Sequence, residues 1–382
     1  MLLYETGSRD PYYNLACEEY LLRNSEEDIF MLWQNQPVVV IGRNQNLYAE
    51  VELSYTEPRG ILTARRITGG GAVYHDDGNV NYSFITSREK AQALDFAYFT
   101  APICKALATL GIRAELSGRN DLLAGGAKFS GNAQYATATR ILHHGTLLFD
   151  SDLSVLAKTL KPAEEKLRSK AIASVRSRVT NLRPLLSADM TTGEFIEHLK
   201  HYVQSELGAE VRTVDRTAVL ASGLYDRNRS EDYICGRRES YPCQKRARCR
   251  GGMVTVLLEP QDGRIARIRL EGDYFGQRDI QEAEERLTGC PLEAAALHVA
   301  SGDIRIRASD DCLNAANSDL SGFDFSMDIS GGTISAYTTD GAGFDSNGSM
   351  TITGGTPPEK PDGGTPPERP DNASEPPEPG NL

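Results

Sequence analysis

The sequence predicts an α+β protein in which helices flank a mixed or antiparallel sheet. Helical and strand-like segments alternate along the chain, and turn signals of the hairpin kind recur between the strands. Those turns favour a mixed or antiparallel sheet over a doubly wound parallel one. With 382 residues, 40% of them hydrophobic, the chain is long enough for two domains with a substantial core.

Hydrophobic spacing predicts the first elements. Asn14 to Arg23 has apolar residues at helical intervals with glutamates on the other side, which indicates a short amphipathic helix. Pro37 to Gly42, PVVVIG, is a continuous β-branched run, typical of a buried strand that leads into a functional loop. Ala72 to Ile85 is expected to form two strands joined by a turn at Asp76 to Gly78.

The later elements follow from the same signals. Phe96 to Gly111 is expected to be a helix ended by glycine, and His143 to Asp150 a strand. Ser151 to Leu160 opens a helix behind a serine or aspartate cap. After a polar, turn-rich break near residues 226 to 250, Met253 to Phe275 has a hairpin pattern and Asp279 to Gly289 a helical one. These two segments predict a small second α+β unit.

Composition restricts the classes of function. The formal net charge of -12 argues against nucleic acid as a partner. The N-terminal residues show no export signal, and no apolar run approaches the length of a membrane span. Seven cysteines without a C-x-x-C pair indicate a reduced, cytoplasmic setting. The spacings of Cys235, Cys243 and Cys249 match no common zinc pattern, so we expect no metal site there.

Two glycine-rich motifs carry the chemistry. In the first, RRITGGGAVYHDDGN from Arg65 to Asn79, two arginines precede three consecutive glycines flanked by strand-forming residues. Backbone amides can there approach a phosphate closely, with guanidinium charge beside it. The second motif, Gly118 to Gln134, contains Lys128 among small residues, where its ammonium can reach a carboxylate or a phosphate. The pair of motifs predicts an anionic ligand, most simply a nucleotide.

Other catalytic interpretations have weaker support. His75 and the His143–His144 pair lie in strand-like segments, where we favour a structural role over catalysis or metal binding. The sequence contains neither a serine in a nucleophile elbow nor a G-x-x-x-x-G-K-[ST] loop. Serine-hydrolase and P-loop functions are therefore disfavoured.

Taken together, the motifs resemble those of lipoate-protein ligases of the A type. RRITGGGAVYHDDGNVNYSF, GRNDL with GAKFSGNAQ, HHGTLL and SVRSRVTNL (Ser174 to Leu182) match ordered blocks of that family. DPYYNLACEEY and VVVIGRNQN match near the N-terminus, so that the resemblance runs over roughly residues 4 to 290. It implies a catalytic domain of the class II synthetase and biotin ligase type, followed by a small accessory domain.

The resemblance also implies an activity and its residues. Lipoate would be activated with ATP to lipoyl-AMP, and the lipoyl group passed to a lysine of an acceptor domain. Arg66 and the strand edge Gly71, Ala72, Val73 and Tyr74 would hold ATP, and Lys128 would contact the nucleotide and lipoate as the catalytic residue. Magnesium is expected with ATP. Secondary candidates for the site are Arg65, Gly69, Gly70, His75, Asn79, Asp121 and His144.

The implied partners are lipoyl acceptor domains, those of 2-oxoacid dehydrogenase complexes or the H protein of glycine cleavage. The enzyme is expected to be monomeric, with neither membrane nor nucleic acid as a partner. The motifs do not decide between lipoate and octanoate as the preferred acyl group.

The C-terminal region departs from the family pattern. Residues 233 to 252 lack the usual tryptophan-containing segment, and after Pro291 a Gly/Asp-rich repeat resembling a fragment of carbohydrate-binding β-repeat proteins replaces the last helices. We therefore divide the chain into a catalytic domain at 1–228, an incomplete accessory domain at 229–298, a β-repeat fragment at 299–355 and a disordered proline-rich tail at 356–382. The activation step is the half-reaction that these departures affect.

Two alternative functions stay open from sequence. One is an octanoyl or lipoyl transferase that works through a cysteine thioester, although no cysteine lies between Cys104 and Cys235 near the lysine motif. The other is a glycan-binding or surface-interaction protein that uses the C-terminal repeat.

Overall fold

The computed structural model describes residues 1–118, 120–161, 179–236, 239–249, 252–276 and 279–290, together with the backbone of seven strands between residues 297 and 352. The chain divides into two compact units, Met1–Gly289 and Cys290–Leu382. The predicted proline-rich tail at 356–382 and the first part of the Ser174 to Leu182 motif lie outside the described residues. Among the described helices, none combines the length and the apolar character needed to cross a membrane.

The helices and strands of the first unit are these. The described helices are α1 (Pro11–Asn24), α2 (Leu47–Glu50), α3 (Leu53–Thr56), α4 (Phe96–Ala108), α5 (Leu153–Thr159), α6 (Thr192–Leu207), α7 (Arg216–Ala221), α8 (Leu224–Arg229), α9 (Glu231–Cys235) and α10 (Ile280–Leu287). The strands are β1 (Leu2–Glu5), β2 (Ile29–Trp33), β3 (Val38–Ile41), β4 (Leu62–Arg65), β5 (Val73–His75), β6 (Asn79–Ser87), β7 (Ala114–Ser117), β8 (Asp121–Ala124), β9 (Ala127–Ala136), β10 (Arg140–Leu148), β11 (Glu210–Thr213), β12 (Cys243–Cys249), β13 (Gly252–Gln261) and β14 (Arg264–Gly272).

An eight-stranded mixed sheet forms the centre of the unit, in the order β11-β1-β2-β6-β10-β9-β8-β7. The pairs β11–β1 and β1–β2 are parallel, and the pairs from β2 to β7 are antiparallel. The predicted α+β class with a mixed sheet and flanking helices is therefore confirmed.

Both faces of this sheet are covered. Along β2, Phe30 and Leu32 point to a cluster that includes residues of α4 and α6, whereas Ile29, Met31 and Trp33 point to a second cluster that includes residues of α1 and β3. Because every residue of β2 is buried, the strand has a continuous apolar sequence rather than an alternating one. The second face carries the site described below.

Helix α1 begins at Pro11, three residues before the predicted start at Asn14, with a cap that orients it. Asp10 accepts hydrogen bonds from the amides of Tyr12 and Tyr13, and Pro11 occupies the first turn. The helix then buries Glu18 and Glu19 in addition to its apolar residues. A charged side chain is rarely buried without partners, so both glutamates require an explanation.

A three-stranded sheet in the order β4-β3-β5 lies beside α1. Strand β3 is the predicted buried strand: Val38 and Val40 belong to the cluster shared with α1, while Val39 and Ile41 belong to a separate cluster on the other face. The three glycines lie between β4 and β5.

The strand, turn and strand predicted over Ala72 to Ile85 are present, but the two strands do not form a hairpin. The turn at Asp76 to Gly78 is present, since the amide of Asn79 donates to the carbonyl of Asp76 at 3.1 Å. The strands on either side do not pair with each other, however: β5 belongs to the three-stranded sheet and β6 to the eight-stranded one. The segment therefore connects two sheets, and the glycine motif lies at their junction.

A third sheet, β12-β13-β14, forms the small unit that was predicted after the polar break. Strands β13 and β14 are the expected hairpin, and α10 follows with Asp279 as its cap. Strand β12 was missed within the polar break because all seven of its residues are exposed and show no apolar alternation.

The second unit contains the strands β15 (Leu297–Val299), β16 (Asp303–Ala308), β17 (Leu313–Ala315), β18 (Ser326–Ile329), β19 (Thr333–Thr338), β20 (Phe344–Ser346) and β21 (Ser349–Ile352). All of its described ladders are parallel. Leu297 lies opposite Met327 and Asp303 opposite Thr333, so the ladders β15–β18 and β16–β19 pair at the same sequence offset.

Candidate active site

A cavity of about 100 Å³ is lined from both the three-stranded and the eight-stranded sheet. The three-stranded side contributes Arg66, His75 and the backbone from Gly70 to Val73, and the eight-stranded side contributes Lys128 and His144. Both sequence motifs thus meet at one cavity although some fifty residues separate them.

Arg66 holds the three-glycine loop in shape. Its side chain is buried, and its Nη2 donates to the carbonyls of Gly69 at 2.8 Å and Gly71 at 2.7 Å, while Nη1 donates to the carbonyl of Val40 at 3.1 Å. Its Nε donates to the hydroxyl of Thr68 at 2.8 Å. Burial lowers the pKa of Arg66 to about 10, so the guanidinium remains charged at neutral pH.

The segment after β14 packs directly on the loop. A Cβ atom at Gly69 would lie 2.3 Å from the carbonyl oxygen of Tyr274, and one at Gly70 would lie 3.0 Å from the ring of Phe275. Gly70 also has a φ of +88°, a backbone conformation that favours glycine. Both glycines are therefore required for close approach, Gly70 for its conformation as well.

Beyond the loop, the candidates alternate in direction. Gly71, Ala72 and Val73 line the cavity, but the side chain of Tyr74 points into the cluster on the far side of the small sheet. His75 again faces the cavity. The opposite directions of Tyr74 and His75 follow from the two-residue repeat of a strand, and Tyr74 does not line the cavity.

Arg65 has a different role from its neighbour. Its guanidinium donates to five carbonyls: those of Gly42, Arg43 and Gln45 through Nη1, and those of Tyr233 and Ile234 through Nε and Nη2. The residue is 7% exposed and does not line the cavity. It connects β4 to α9 rather than to a ligand.

Lys128 lies at the half-exposed side of the cavity. Its Nζ is 2.8 Å from Oδ1 of Asp121 on the neighbouring strand β8. A Cβ atom at Gly131 would lie 3.3 Å from Nζ, so the glycine leaves room for the lysine side chain along the strand. Because the ion pair is partly exposed, it orients the ammonium more than it stabilises the fold.

Asn120 and Asn132 stabilise the strands around Lys128. The side-chain amide of Asn120 donates to the carbonyl of Asn132 at 2.8 Å, and that of Asn132 donates to the carbonyl of Asn120 at 3.0 Å. Both residues line the cavity. This reciprocal pair fixes the turn that precedes Asp121.

The two adjacent histidines point to opposite faces of the sheet. His143 stacks on Phe99 with ring centroids 4.9 Å apart, and burial holds its pKa well below the ordinary range. His144 faces the cavity, with Nδ1 2.8 Å from Oε1 of Glu18 and Nε2 2.8 Å from the hydroxyl of Thr68. The structural interpretation of His143 fits these contacts, whereas His144 connects the cavity to the glycine loop.

His75 and two asparagines present buried polar atoms without partners. Asn35 donates to Nδ1 of His75 at 3.0 Å, which leaves Nε2 as a buried nitrogen without a hydrogen-bond partner. Asn79 donates to Oδ1 of Asn81 at 3.0 Å, and the remaining Oδ1 of Asn79 and Nδ2 of Asn81 also lack partners. His75 and Asn81 line the cavity, so a polar group of a ligand has two donors there.

The catalytic-domain model that matches residues 10–204 is that of the lipoyl protein ligase A/B catalytic domain, and the model of the bacterial lipoate protein ligase C-terminus matches residues 239–321. This chain belongs to the lipoate-protein ligase family. The lipoate-protein ligase LplJ of Bacillus subtilis is 39% identical over 295 residues, which cover 75% of this chain and 89% of the relative. Lipoate--protein ligase 1 of Staphylococcus aureus is 38% identical, over 74% of this chain and 87% of its own.

Solved structures of lipoate ligases have the same fold. P. falciparum LipL1 in complex with lipoate has a TM-score of 0.65 at 25% identity and covers 74% of this chain and 88% of its own. A bi-partite lipoate protein ligase of Thermoplasma acidophilum, solved as a lipoylation system with its E2 lipoyl domain, has a TM-score of 0.55 at 30% identity, covering 62% and 98%. A lipoate-protein ligase A bound with ATP has a TM-score of 0.52 at 29% identity, covering 62% and 97%. The ligase function and fold inferred from the motifs are confirmed.

Several cavity residues of this ligase were not predicted from sequence. Trp33, Asn81 and Asn132 line the cavity, and Glu18 and Thr68 bond to residues that do. Thr68 lies inside the RRITGGG motif, where its position between the arginines and the glycines is a local signal. Glu18 has only its position among apolar helix residues as a signal, and that did not distinguish it from a solvated glutamate.

Metal ligands and thiols were also considered. Within the described ranges, no group of three or more His, Cys, Asp or Glu side chains could hold a metal ion. Cys235, Cys243 and Cys249 are free where they are described. None of the described cysteines lines the cavity of the ligase.

Proposed function

We propose that the cavity binds lipoate and ATP, that it forms lipoyl-AMP and pyrophosphate, and that the lipoyl group then passes to a lysine of an acceptor domain. One observation carries this proposal: the Lys128 side chain and the backbone edge from Gly70 to Val73 line the same cavity. The first provides charge for a carboxylate or phosphate, and the second provides backbone that a nucleotide can approach. The neighbours with bound lipoate and bound ATP support the two halves of the site.

Lys128 is the proposed catalytic residue. In the first step a carboxylate oxygen of lipoate attacks the α-phosphorus of ATP, a new P–O bond forms, and pyrophosphate leaves. The ammonium stabilises the negative charge that develops between the two reactants, and Asp121 orients it before they bind. In the second step the acceptor amine attacks the mixed anhydride and AMP leaves. No enzyme nucleophile is needed, in keeping with the lack of a described cysteine at the cavity.

The other residues proposed to bind ATP act through their backbone or by shaping the loop. Arg66 shapes the ATP-binding edge, because most of its donors bond to backbone carbonyls and a side-chain hydroxyl. Gly71, Ala72 and Val73 offer their backbone to the nucleotide, and Tyr74 can do so only through its main chain. Nucleotide binding thus depends on the loop's conformation as well as on charge.

Magnesium is proposed to arrive with ATP. The described residues offer Asp121 as a carboxylate beside Lys128 but no cluster of three protein ligands. This donor set fits Mg²⁺ held mainly by the nucleotide phosphates, because the ion usually keeps several waters and uses one or two carboxylates. When bound, it would neutralise charge on the departing pyrophosphate.

The acceptors that we propose are lipoyl domains of 2-oxoacid dehydrogenase complexes or the glycine cleavage H protein. The T. acidophilum neighbour, whose structure is described together with its E2 lipoyl domain, supports an acceptor of this kind. We further propose a monomer in the cytoplasm; the free thiols of Cys17, Cys104, Cys235, Cys243 and Cys249 support a reducing compartment.

Two assays on the full chain test the proposal. The first measures pyrophosphate release from ATP in the presence of lipoate, and the second measures transfer from synthetic lipoyl-AMP to an apo acceptor domain. Activity in both is the expected result. Transfer without pyrophosphate release would contradict the activation step, and inactivity in both would contradict the proposed function as a whole.

Lys128→Ala tests the assigned catalytic residue. Loss of its charge is expected to lower the rate of pyrophosphate release by at least about 100-fold, the magnitude typical of one transition-state contact. Lys158→Ala, which removes an exposed lysine of α5 outside the cavity, is the matched control and should retain the wild-type rate. A near-normal rate in Lys128→Ala would remove Lys128 from the mechanism.

A further inference from the structure

A chain of buried hydrogen bonds connects α1 to the three-glycine loop. Glu18 Oε1 is 2.8 Å from Nδ1 of His144, whose Nε2 is 2.8 Å from the hydroxyl of Thr68. Thr68 in turn accepts a hydrogen bond from Nε of Arg66 at 2.8 Å. Glu18 and Thr68 are 1% and 0% exposed, so water does not compete for these bonds.

The hydrogen bonds of this chain can all run in one direction. Arg66 can only donate, so the Thr68 oxygen accepts from it, and the Thr68 hydroxyl is then available to donate to Nε2 of His144. His144 then carries its proton on Nδ1 and donates it to Glu18. Ser83 donates a second hydrogen bond to the same carboxylate oxygen at 2.6 Å. Every donor is directed toward Glu18, which is the acceptor at the end of the chain.

Glu18 is also a charge partner for Arg66. Burial lowers the pKa of the guanidinium, and the negative charge of Glu18 opposes that effect. The two charges do not touch, because His144 and Thr68 lie between them. Glu18 thus stabilises the charge of Arg66 from a distance, while the hydrogen bonds through His144 and Thr68 orient the guanidinium.

The orientation matters because of what the other end of the guanidinium does. The bond from Nε to Thr68 fixes the plane of this rigid group, and its two remaining nitrogens then meet the carbonyls of Val40, Gly69 and Gly71. Rotation of the plane would break those bonds together. The conformation of the loop thus depends on Thr68, and Thr68 is oriented by His144 and Glu18.

We infer that Glu18, acting through His144 and Thr68, is a positioning residue for nucleotide binding. It keeps the Arg66 plane fixed, so that the backbone of the loop is prepared for ATP before ATP arrives. The inference rests on the proposed function of the loop. Neither Glu18 nor Thr68 lines the cavity, so their replacement adds or removes no atom of its surface.

Glu18→Gln and Thr68→Val test the inference, because each keeps the size of the side chain: the first removes the charge of the acceptor, and the second removes the hydroxyl between His144 and Arg66. The expected result is a KM for ATP raised by about 10-fold or more in each variant, the fold-change for one lost hydrogen bond to a charged group. The KM for lipoate should stay near the wild-type value. Thr68→Ser retains the hydroxyl and should restore the KM for ATP.

The double variant provides a second readout. If the two residues act in one chain, combining Glu18→Gln with Thr68→Val raises the KM for ATP no further than the larger single effect, because the chain is already broken. Effects that multiply, or an unchanged KM for ATP in Thr68→Val, would overturn the inference. Should Glu18→Gln fail to fold, Thr68→Val and Thr68→Ser decide it alone.

Glu19→Gln is the matched control. Glu19 is equally buried in the same helix, but it pairs with Arg23 and Arg227 and has no bond to the chain. Its replacement is expected to lower stability and leave the KM for ATP unchanged, whereas an equal rise would show a general effect of charge loss in α1 and refute the inference. Activity of the wild-type protein is measured first: its absence defeats the proposed function, while normal activity with unaffected variants defeats only the role of Glu18.

Discussion

When the pH is lowered, the His75→Asn variant is expected to lose less stability than the wild-type protein. The ring of His75 is 2% exposed, and Asn35 donates to its Nδ1 at 3.0 Å. Asn35 is itself oriented by a hydrogen bond from Asn14 at 2.9 Å. Burial, with the positive charge of Arg66 as the next cause, lowers the pKa of His75 from 6.5 to about 3.

The direction of the effect follows from proton binding. Below its ordinary pKa, the unfolded chain binds a proton at His75 that the folded protein excludes, so this residue destabilises the fold as pH falls. Between pH 7 and pH 5 the difference amounts to about 2 kcal/mol of unfolding free energy. Because pH 5 is still well above the folded-state pKa of about 3, the result depends little on the exact value.

Urea unfolding at pH 7 and pH 5 measures this difference. The wild-type protein should lose about 2 kcal/mol more than His75→Asn on going from pH 7 to pH 5. His201→Asn, which removes an exposed histidine of α6, is the control and should keep the wild-type pH dependence. An identical pH dependence in wild-type and His75→Asn protein would refute the argument that the ring is held neutral by burial.

Glycine substitutions test the contacts of the site. Gly69→Ala places a Cβ atom 2.3 Å from the carbonyl oxygen of Tyr274; the resulting shift should lower stability by about 1–3 kcal/mol in urea unfolding. Gly71→Ala, whose Cβ has no atom within 4 Å, is its stability control, and equal losses would contradict the packing described. Gly145→Ala places a Cβ atom 2.2 Å from Oδ1 of Asn132 and should therefore weaken lipoate binding. The affinity can be measured from the fluorescence of the single tryptophan. An unchanged affinity would contradict the assignment of the cavity.

Local patterns predicted most of the elements, because their signals lie within a few residues of one another. The helix at Asn14 to Arg23 and the strand at Pro37 to Gly42 were predicted within three residues of their observed ends. The hairpin at Met253 to Phe275 was likewise recognised from alternation and its Asp-Gly turn. In each case the apolar spacing and the residues that end an element indicated the same boundaries.

Pairing between strands was less predictable. The turn at Asp76 to Gly78 has the local chemistry of a hairpin, but the residues after it find their partners on β2 and β10 rather than on β5. Strand partners are decided by packing between distant segments, and no local pattern encodes them. The sequence did not predict strand β12 for a different reason: an exposed strand has no apolar face that a pattern could reveal.

The residues of the site likewise fall into a group that local motifs predicted and a group that they did not. Lys128 and the glycine loop were found because they lie in short motifs with recognisable chemistry. Glu18, Thr68 and Trp33 were not, because their importance comes from contacts with other segments. A buried glutamate in a helix looks like a solvated one until its partner in a distant strand is known.

Arg65 defines where this ligase could be divided into two polypeptides. Its guanidinium needs the carbonyls of Tyr233 and Ile234, which belong to α9. A chain ended after Gly236 would retain those partners, whereas one ended before Glu231 would leave a buried positive charge with only part of its hydrogen bonds. Helix α9 is therefore an inseparable part of the N-terminal polypeptide, and a two-gene version of the enzyme should have its break beyond it.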